Sequence, residues 1–264
     1  MELGLHGKKA LITGASQGIG LAVARALALE GTSVALVART RERLGAAVRD
    51  IRAVAPAAVE VVALPGDVGQ LSEVERLGAA ALNQLGQVDI LVNNAATTHT
   101  GPFFEMSDAD LVATWQVKAL GYMRLTRVIA PHMMARRSGA IINIVGGAAR
   151  TPELDFIAGS MVNAALVNFT RGISRELAHH NVRINAVSPG WTMTERQERS
   201  FALQAAARQV SAQDVERQQS RSIPLNRLVT AQEVAALVLM LVSDQLPSMT
   251  GEDIIIDGGA TPSI

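Results

Sequence analysis

The chain has 264 residues, enough for one large α/β domain or two small ones, and 48% are hydrophobic, enough for a sizeable core. Lys plus Arg (24) equals Asp plus Glu (24), which argues against a nucleic-acid surface or a polybasic membrane patch. There is no Cys, so neither disulfides nor thiolate chemistry is available.

The short lead Met1–Lys9 leaves no room for a signal peptide. No apolar run approaches the roughly 20 residues of a spanning helix. The sequence therefore reads as cytoplasmic, with no membrane partner. Ala10 to Ile12 predicts a buried strand. Gly14, Gly18 and Gly20 follow it, and Ile19, Val23, Ala26, Leu27 and Leu29 then recur at helical steps. This is strand, glycine turn, helix. Glycines let the backbone approach closely, and the free N–H groups of a helix start stabilise negative charge, which suits a pyrophosphate. Gly14, Ser16, Gln17, Gly18, Ile19 and Gly20 are the candidate contacts. A tight turn without a ligand is the plain alternative.

A second strand, Ser33 to Ala38, ends at Arg39, and Thr40-Arg41-Glu42-Arg43-Leu44 opens a helix. In a dinucleotide-binding fold an acid at this tip holds the ribose hydroxyls, whereas Arg accommodates a 2′-phosphate. Arg39 thus favours NADP(H) over NAD(H), against the alternative of a solvated arginine. A third strand, Val59 to Leu64, leads to Gly66-Asp67-Val68, and a helix spans Leu71 to Leu85. The fourth strand, Asp89 to Val92, ends in Asn93-Asn94-Ala95-Ala96. A loop, Thr97 to Phe104, contains His99. Helices are predicted over Asp108–Lys118 and Leu120–Arg137, a strand over Ala140–Val145 and a helix over Ile157–His179. After a strand at Val182 to Val187, a polar segment runs to Asn226; its part from 192 to 226 reads as a mobile substrate lid. A helix over Thr230–Ser243, a strand over Glu252–Ile256 and Asp257-Gly258-Gly259 close the chain. This alternation predicts one doubly wound domain: a seven-stranded parallel sheet with helices on both faces.

Five stretches carry a resemblance along essentially the whole chain. They are Thr13-Gly14-Ala15-Ser16-Gln17-Gly18-Ile19-Gly20, Asp67-Val68, Asn93-Asn94-Ala95, Asn185-Ala186-Val187-Ser188-Pro189-Gly190 with Thr194, and Asp257-Gly258-Gly259. In this order they resemble the short-chain dehydrogenase/reductase family, which implies a Rossmann-type domain, a nicotinamide cofactor and a small-molecule substrate. The resemblance places Asp67 and Val68 beside the adenine. It gives Asn93 the strand-four turn and sets Asn94 and Ala95 on the adenosine side. Pro189, Gly190, Trp191, Thr192 and Thr194 would surround the nicotinamide. Gln17 stands where many NADP-dependent members carry a basic residue. The resemblance also implies a homodimer or homotetramer, with the helices over Leu120–Arg137 and Ile157–His179 pairing across one interface. No metal site is implied.

At four positions the chain departs from the family. The family uses a Tyr as proton donor, a Lys four residues later, a Ser about 13 residues before the Tyr, and an Asn on the preceding helix. Aligned on Ser160-Met161-Val162-Asn163-Ala164-Ala165-Leu166, the lysine position is Asn163 and the tyrosine position Gly159. The serine position is Gly146, 13 residues before Gly159, and the asparagine position is Lys118. The single Tyr, Tyr122, lies on the helix after Lys118, where the resemblance places subunit packing. The small residues Gly146, Gly147 and Gly159 predict a roomier, less polar pocket.

Hydride transfer to a carbonyl leaves an alkoxide, so something must donate a proton. Lys118 is the foremost candidate. It is the only lysine besides Lys8 and Lys9, and a desolvated Lys can do acid–base work or hold an anion. A structural lysine is the alternative. Asn163 can bond a ribose hydroxyl. Ser160, Glu153, Asp155 and His99 are weaker candidates. Three readings follow: an atypical NADP(H)-binding oxidoreductase, a non-redox enzyme (hydration, elimination or isomerisation) on the same fold, and an inactive cofactor-binding protein.

Overall fold

The computed structural model describes residues 2–97 and 99–262; Met1, Thr98, Ser263 and Ile264 lie outside them. In chain order the first half comprises β1 (Lys9–Thr13), α1 (Gly18–Leu29), β2 (Ser33–Ala38), α2 (Arg41–Arg52), β3 (Val61–Pro65), α3 (Leu71–Leu85) and β4 (Ile90–Asn93). Then come α4 (Asp108–Thr114), α5 (Gly121–Arg136), β5 (Gly139–Ile144), α6 (Ile157–His179) and β6 (Val182–Pro189). The last part holds β7 (Thr192–Met193), α7 (Glu195–Arg208), α8 (Ala212–Arg221), β8 (Val229–Thr230), α9 (Ala231–Val242) and β9 (Asp253–Ile256).

Seven strands form one parallel sheet in the order β3-β2-β1-β4-β5-β6-β9. The expected seven-stranded parallel sheet is present. Its central strands are largely apolar because both faces of the sheet are covered. In β1, Ala10 and Ile12 pack into the core under α1 and α9, while Leu11 points into the opposite core under α3 and α5. The chain leaves β1 toward β2 and β3, then crosses back to β4. The crevice at the C-terminal ends of β1 and β4 is therefore the switch point where such sheets bind ligands.

Three local differences from the sequence reading have simple causes. The third strand begins at Val61 rather than Val59, because the Val59 N–H donates to Pro56 O in a turn. The helices expected over Asp108–Lys118 and Leu120–Arg137 form one continuous rod. A wide π-helical turn, Trp115–Leu120, joins α4 to α5. Tyr122 does not lie on an outward face: it is buried within the chain beside Ala119, Val145, Val162 and Leu166.

The segment expected as a lid folds into α7 and α8, tied down by the parallel pair β7–β8. It has its own apolar cluster of Phe201, Ala205, Val215, Ile223 and Leu228. Trp191 and Met193 pack against this cluster. No helix among the described residues is long and apolar enough to cross a membrane.

Candidate functional site

The glycine turn is built around Asn94. Its Nδ2 donates to Thr13 O (3.0 Å) and Gly14 O (3.2 Å) across the switch point. Thr13 Oγ1 accepts the N–H groups of Asn94 and Ala95 at 2.9 and 3.0 Å. A Cβ at Gly14 would lie 2.8 Å from Asn94 Nδ2, and one at Gly20 only 2.5 Å from it, so both positions must be glycine. Asn93, expected to hold the turn at the end of the fourth strand, is the last residue of β4. It is fully buried, and its Nδ2 donates to Asn143 Oδ1 (2.9 Å) and lies 3.3 Å from Thr126 Oγ1. Asn143 in turn donates to Thr170 Oγ1 (2.9 Å), so a buried polar chain links β4, β5, α5 and α6.

At α1, Gln17 is the N-cap residue without a capping side-chain bond, and the first turn carries no acid. The exposed donors suit an anion. Gln17 Oε1 accepts from Arg43 Nη1 (3.2 Å) on α2, bringing a second basic residue to the turn beside the exposed Arg39. Spacing gave no sign of this contact. Asp67 turns inward on its own loop, its Oδ1 accepting from Gly69 N (2.9 Å), and Val68 is buried.

Across the cleft, Gly190 N–H donates to Ile256 O (2.9 Å), tying the end of β6 to β9. Pro189 is buried beside it, and Thr192 Oγ1 donates to Gly190 O (2.9 Å). Thr194 caps α7, and its Cγ2 would stand 3.3 Å from a Cβ on Gly18. The segment expected around a nicotinamide thus meets the glycine turn. Trp191, partly buried, packs against the apolar cluster of α7 and α8.

Lys118, Asn163 and Gly146 meet at the end of β5, and Gly159 lies one turn before Asn163 on α6. Lys118, on the π turn, is 8% exposed, and its Nζ donates to Val145 O (2.5 Å) and Asn163 Oδ1 (2.7 Å). Burial first, then the charge of Arg196, brings its pKa down to about 7. The two acceptors explain why neutrality is tolerated. A neutral amine has two N–H groups, both satisfied here, and a lone pair left over; the ammonium has a third N–H to give away.

Gly146 has φ +137°, and a Cβ there would sit 3.0 Å from Asn163 Nδ2. A serine at 146 would be strained and would crowd that amide. Gly159 does not leave the open space expected of it, because the Phe156 ring lies where its Cβ would be. The roomier pocket is corrected accordingly: this point is apolar but filled. Ser160 Oγ donates to Phe156 O (3.0 Å), holding the turn that delivers the ring.

Other candidates are drawn elsewhere. Tyr122 O–H donates to Ile144 O (3.1 Å), and burial pushes its pKa well above the usual range. His99 Nδ1 lies 2.9 Å from Asp110 Oδ1. Glu153 and Asp155 remain exposed, although partial burial pushes the Glu153 carboxyl up.

The family model described as enoyl-(acyl carrier protein) reductase matches residues 14–261. The chain is 38% identical over 258 residues to 2,3-dihydro-2,3-dihydroxybenzoate dehydrogenase of Bacillus subtilis, covering 98% of this chain and 97% of that one. It is 33% identical to the NADPH-dependent reductase BacG of the same organism, covering 97% and 99%. L-sorbose reductase from Gluconobacter frateurii, solved with NADPH and L-sorbose, superposes with TM-score 0.96 over 100% of both chains at 29% identity. A family match over most of the length, near-complete alignment with curated relatives and a shared seven-stranded fold lead to one assignment: the chain belongs to the short-chain dehydrogenase/reductase family.

Proposed function

We propose that the chain is an NADP(H)-dependent oxidoreductase of a small molecule in which Lys118, rather than a tyrosine, handles the proton. The carrying observation is the Lys118 amine, buried and held by two neutral acceptors at the end of β5. The donor set of the glycine turn fits a dinucleotide pyrophosphate, and Arg39 with Arg43 fits a 2′-phosphate. BacG and the sorbose reductase, by their names, use or bind NADPH.

The nicotinamide supplies or accepts the hydride when bound. The Lys118 ammonium gives its third proton to the substrate heteroatom that gains the electron pair, and takes it back in the reverse direction. Asn163 Oδ1 and Val145 O hold the amine through both states. Asn163 Nδ2, facing Gly146, is placed for a ribose hydroxyl, and the cofactor contacts follow the residues described above. Without a hydroxyl at 146 or 159 to clamp an oxyanion, readily reduced centres suit the site best: imines, activated alkenes or quinones. The 192–226 segment acts as the substrate lid, and assembly into two or four chains in the cytoplasm belongs to the same reading.

A cofactor-binding protein without turnover is the second reading. It is favoured by the Phe156 ring, which fills the place from which the family donates its proton. Fluorescence titration with NADPH and NADH, followed by turnover assays on the three substrate classes with wild type and Lys118→Met, separates the two. Turnover lost in the variant supports the first reading; tight NADPH binding with no turnover in either protein supports the second. Binding of neither cofactor by the folded protein overturns both.

A further inference from the structure

The N-terminus of α1 already has an anion on it. Gly18 N–H donates to Glu195 Oε2 at 3.2 Å, a contact between residues 177 positions apart. Neither Gln17 nor any first-turn acid satisfies this helix start locally. Resting on the cofactor reading above, we propose that Glu195 competes with the dinucleotide pyrophosphate for the Gly18 N–H, so that cofactor binding displaces the start of α7.

Two physical arguments and one contact support the exchange. A carboxylate and a pyrophosphate oxygen are both oxyanions, and a helix start binds either through the same N–H groups. Two like charges cannot share one donor without repulsion, so one must leave. A Cβ on Gly18 would meet Thr194 Cγ2 at 3.3 Å, so the α7 start lies close to the turn beside the carboxylate.

The displacement does not unravel α7. Its own N-terminus is capped by Thr194 Oγ1, which accepts from Gln197 N at 3.3 Å. Glu195 is therefore not needed for that cap, and as an exposed residue it can return to water. The lid and the glycine turn are in this way coupled through a single replaceable hydrogen bond. The Glu195 contact opposes cofactor binding and marks the residue as a determinant of affinity rather than a catalytic one.

The test is a titration with NADPH followed by Trp191 fluorescence, since that ring packs into the cluster that moves with α7. Wild type, Glu195→Gln, Glu195→Ala and Glu198→Gln are compared, with circular dichroism and thermal melts to verify folding. Glu195→Gln keeps a neutral acceptor and removes the charge; Glu195→Ala removes both. Both variants should bind NADPH more tightly, by on the order of tenfold for Glu195→Ala. Glu198→Gln, altering a neighbouring acid with no bond to the turn, should match wild type. Binding in the Glu195 variants alone, with none in wild type, would also support the proposal. Equal or weaker affinity in both Glu195 variants overturns it and leaves the cofactor reading standing. No binding by any of the four proteins overturns the cofactor reading and the competition together.

Discussion

Lys118 Nζ lies 2.7 Å from Asn163 Oδ1, joining the π turn before α5 to the first half of α6. In the family resemblance the lysine would stand at 163 and the asparagine at 118. On that alignment the two groups are exchanged, and the structure shows an amine and an amide facing each other at the end of β5. The exchange brings the amine from a turn flanked by Ala119 and Tyr122, which strips it of water. That environment makes Lys118 directly observable, because only Lys8 and Lys9 accompany it. Among three lysine Cε signals in an isotope-labelled sample, one should titrate near pH 7 and vanish in Lys118→Met. Three signals titrating near the ordinary lysine value would remove the amine from the proposed chemistry.

The same lowering has a thermodynamic consequence. Lys118 has a folded pKa of about 7 against an ordinary value of 10.5. Between these values the unfolded chain binds more protons than the folded one, so stability rises with pH across that window. Wild type should gain stability relative to Lys118→Met from pH 7 to pH 10, by up to roughly 4 kcal/mol. Urea unfolding at several pH values measures it. A pH-independent difference between the two proteins contradicts the buried-amine picture.

Restoring tyrosine at 159 should fail by itself. The Phe156 ring occupies the place of any Cβ there. Gly159→Tyr should destabilise by about 1–3 kcal/mol through overpacking. Gly159→Tyr combined with Phe156→Ala should recover a good part of that loss. Denaturation midpoints for the single and double variants decide the matter, and additive losses would show that the ring is not the obstacle.

Removal of either arginine near the glycine turn should separate the two cofactors. On the proposed reading, Arg39→Ala and Arg43→Ala should each weaken NADPH by roughly tenfold while leaving NADH nearly unchanged, because each would remove a charge-assisted contact to the 2′-phosphate. Parallel titrations suffice. Equal losses for both cofactors would assign the arginines to the shared part of the nucleotide.

The buried polar chain is a structural liability if broken. Asn143 is fully buried and bonds both Asn93 and Thr170. Asn143→Ala should cost about 2–4 kcal/mol, since it leaves Asn93 Nδ2 and Thr170 Oγ1 without their amide partner. Loss of less than about 1 kcal/mol in urea melts would mean that the Asn143 bonds contribute little to stability.

Much of the sheet is legible in the residues because a strand buried on both faces has little choice but to be apolar, as Ala10–Ile12 of β1 and Val34–Ala38 of β2 are. The glycine turn was equally open to reading, since Gly14 and Gly20 answer to a local approach of backbone and Asn94. The site was only half visible. Lys118 stood out by its rarity, but its pairing with Asn163 depends on a π turn that no periodicity announces. The Phe156 ring over Gly159, the Arg43 contact with Gln17 and the Glu195 contact with Gly18 are all set by tertiary placement, not by spacing. Which of Asn93 and Asn94 reaches the glycine turn is set by tertiary placement in the same way. Adjacent residues on a strand end face opposite ways, and only the register of β1 against β4 decides which one reaches the turn.

Asn94 carries one last implication. By clasping the carbonyls of both Thr13 and Gly14, its amide cross-braces the floor of the crevice from β4 to the glycine turn. A floor braced in this way cannot hinge open along the seam between the two halves of the sheet.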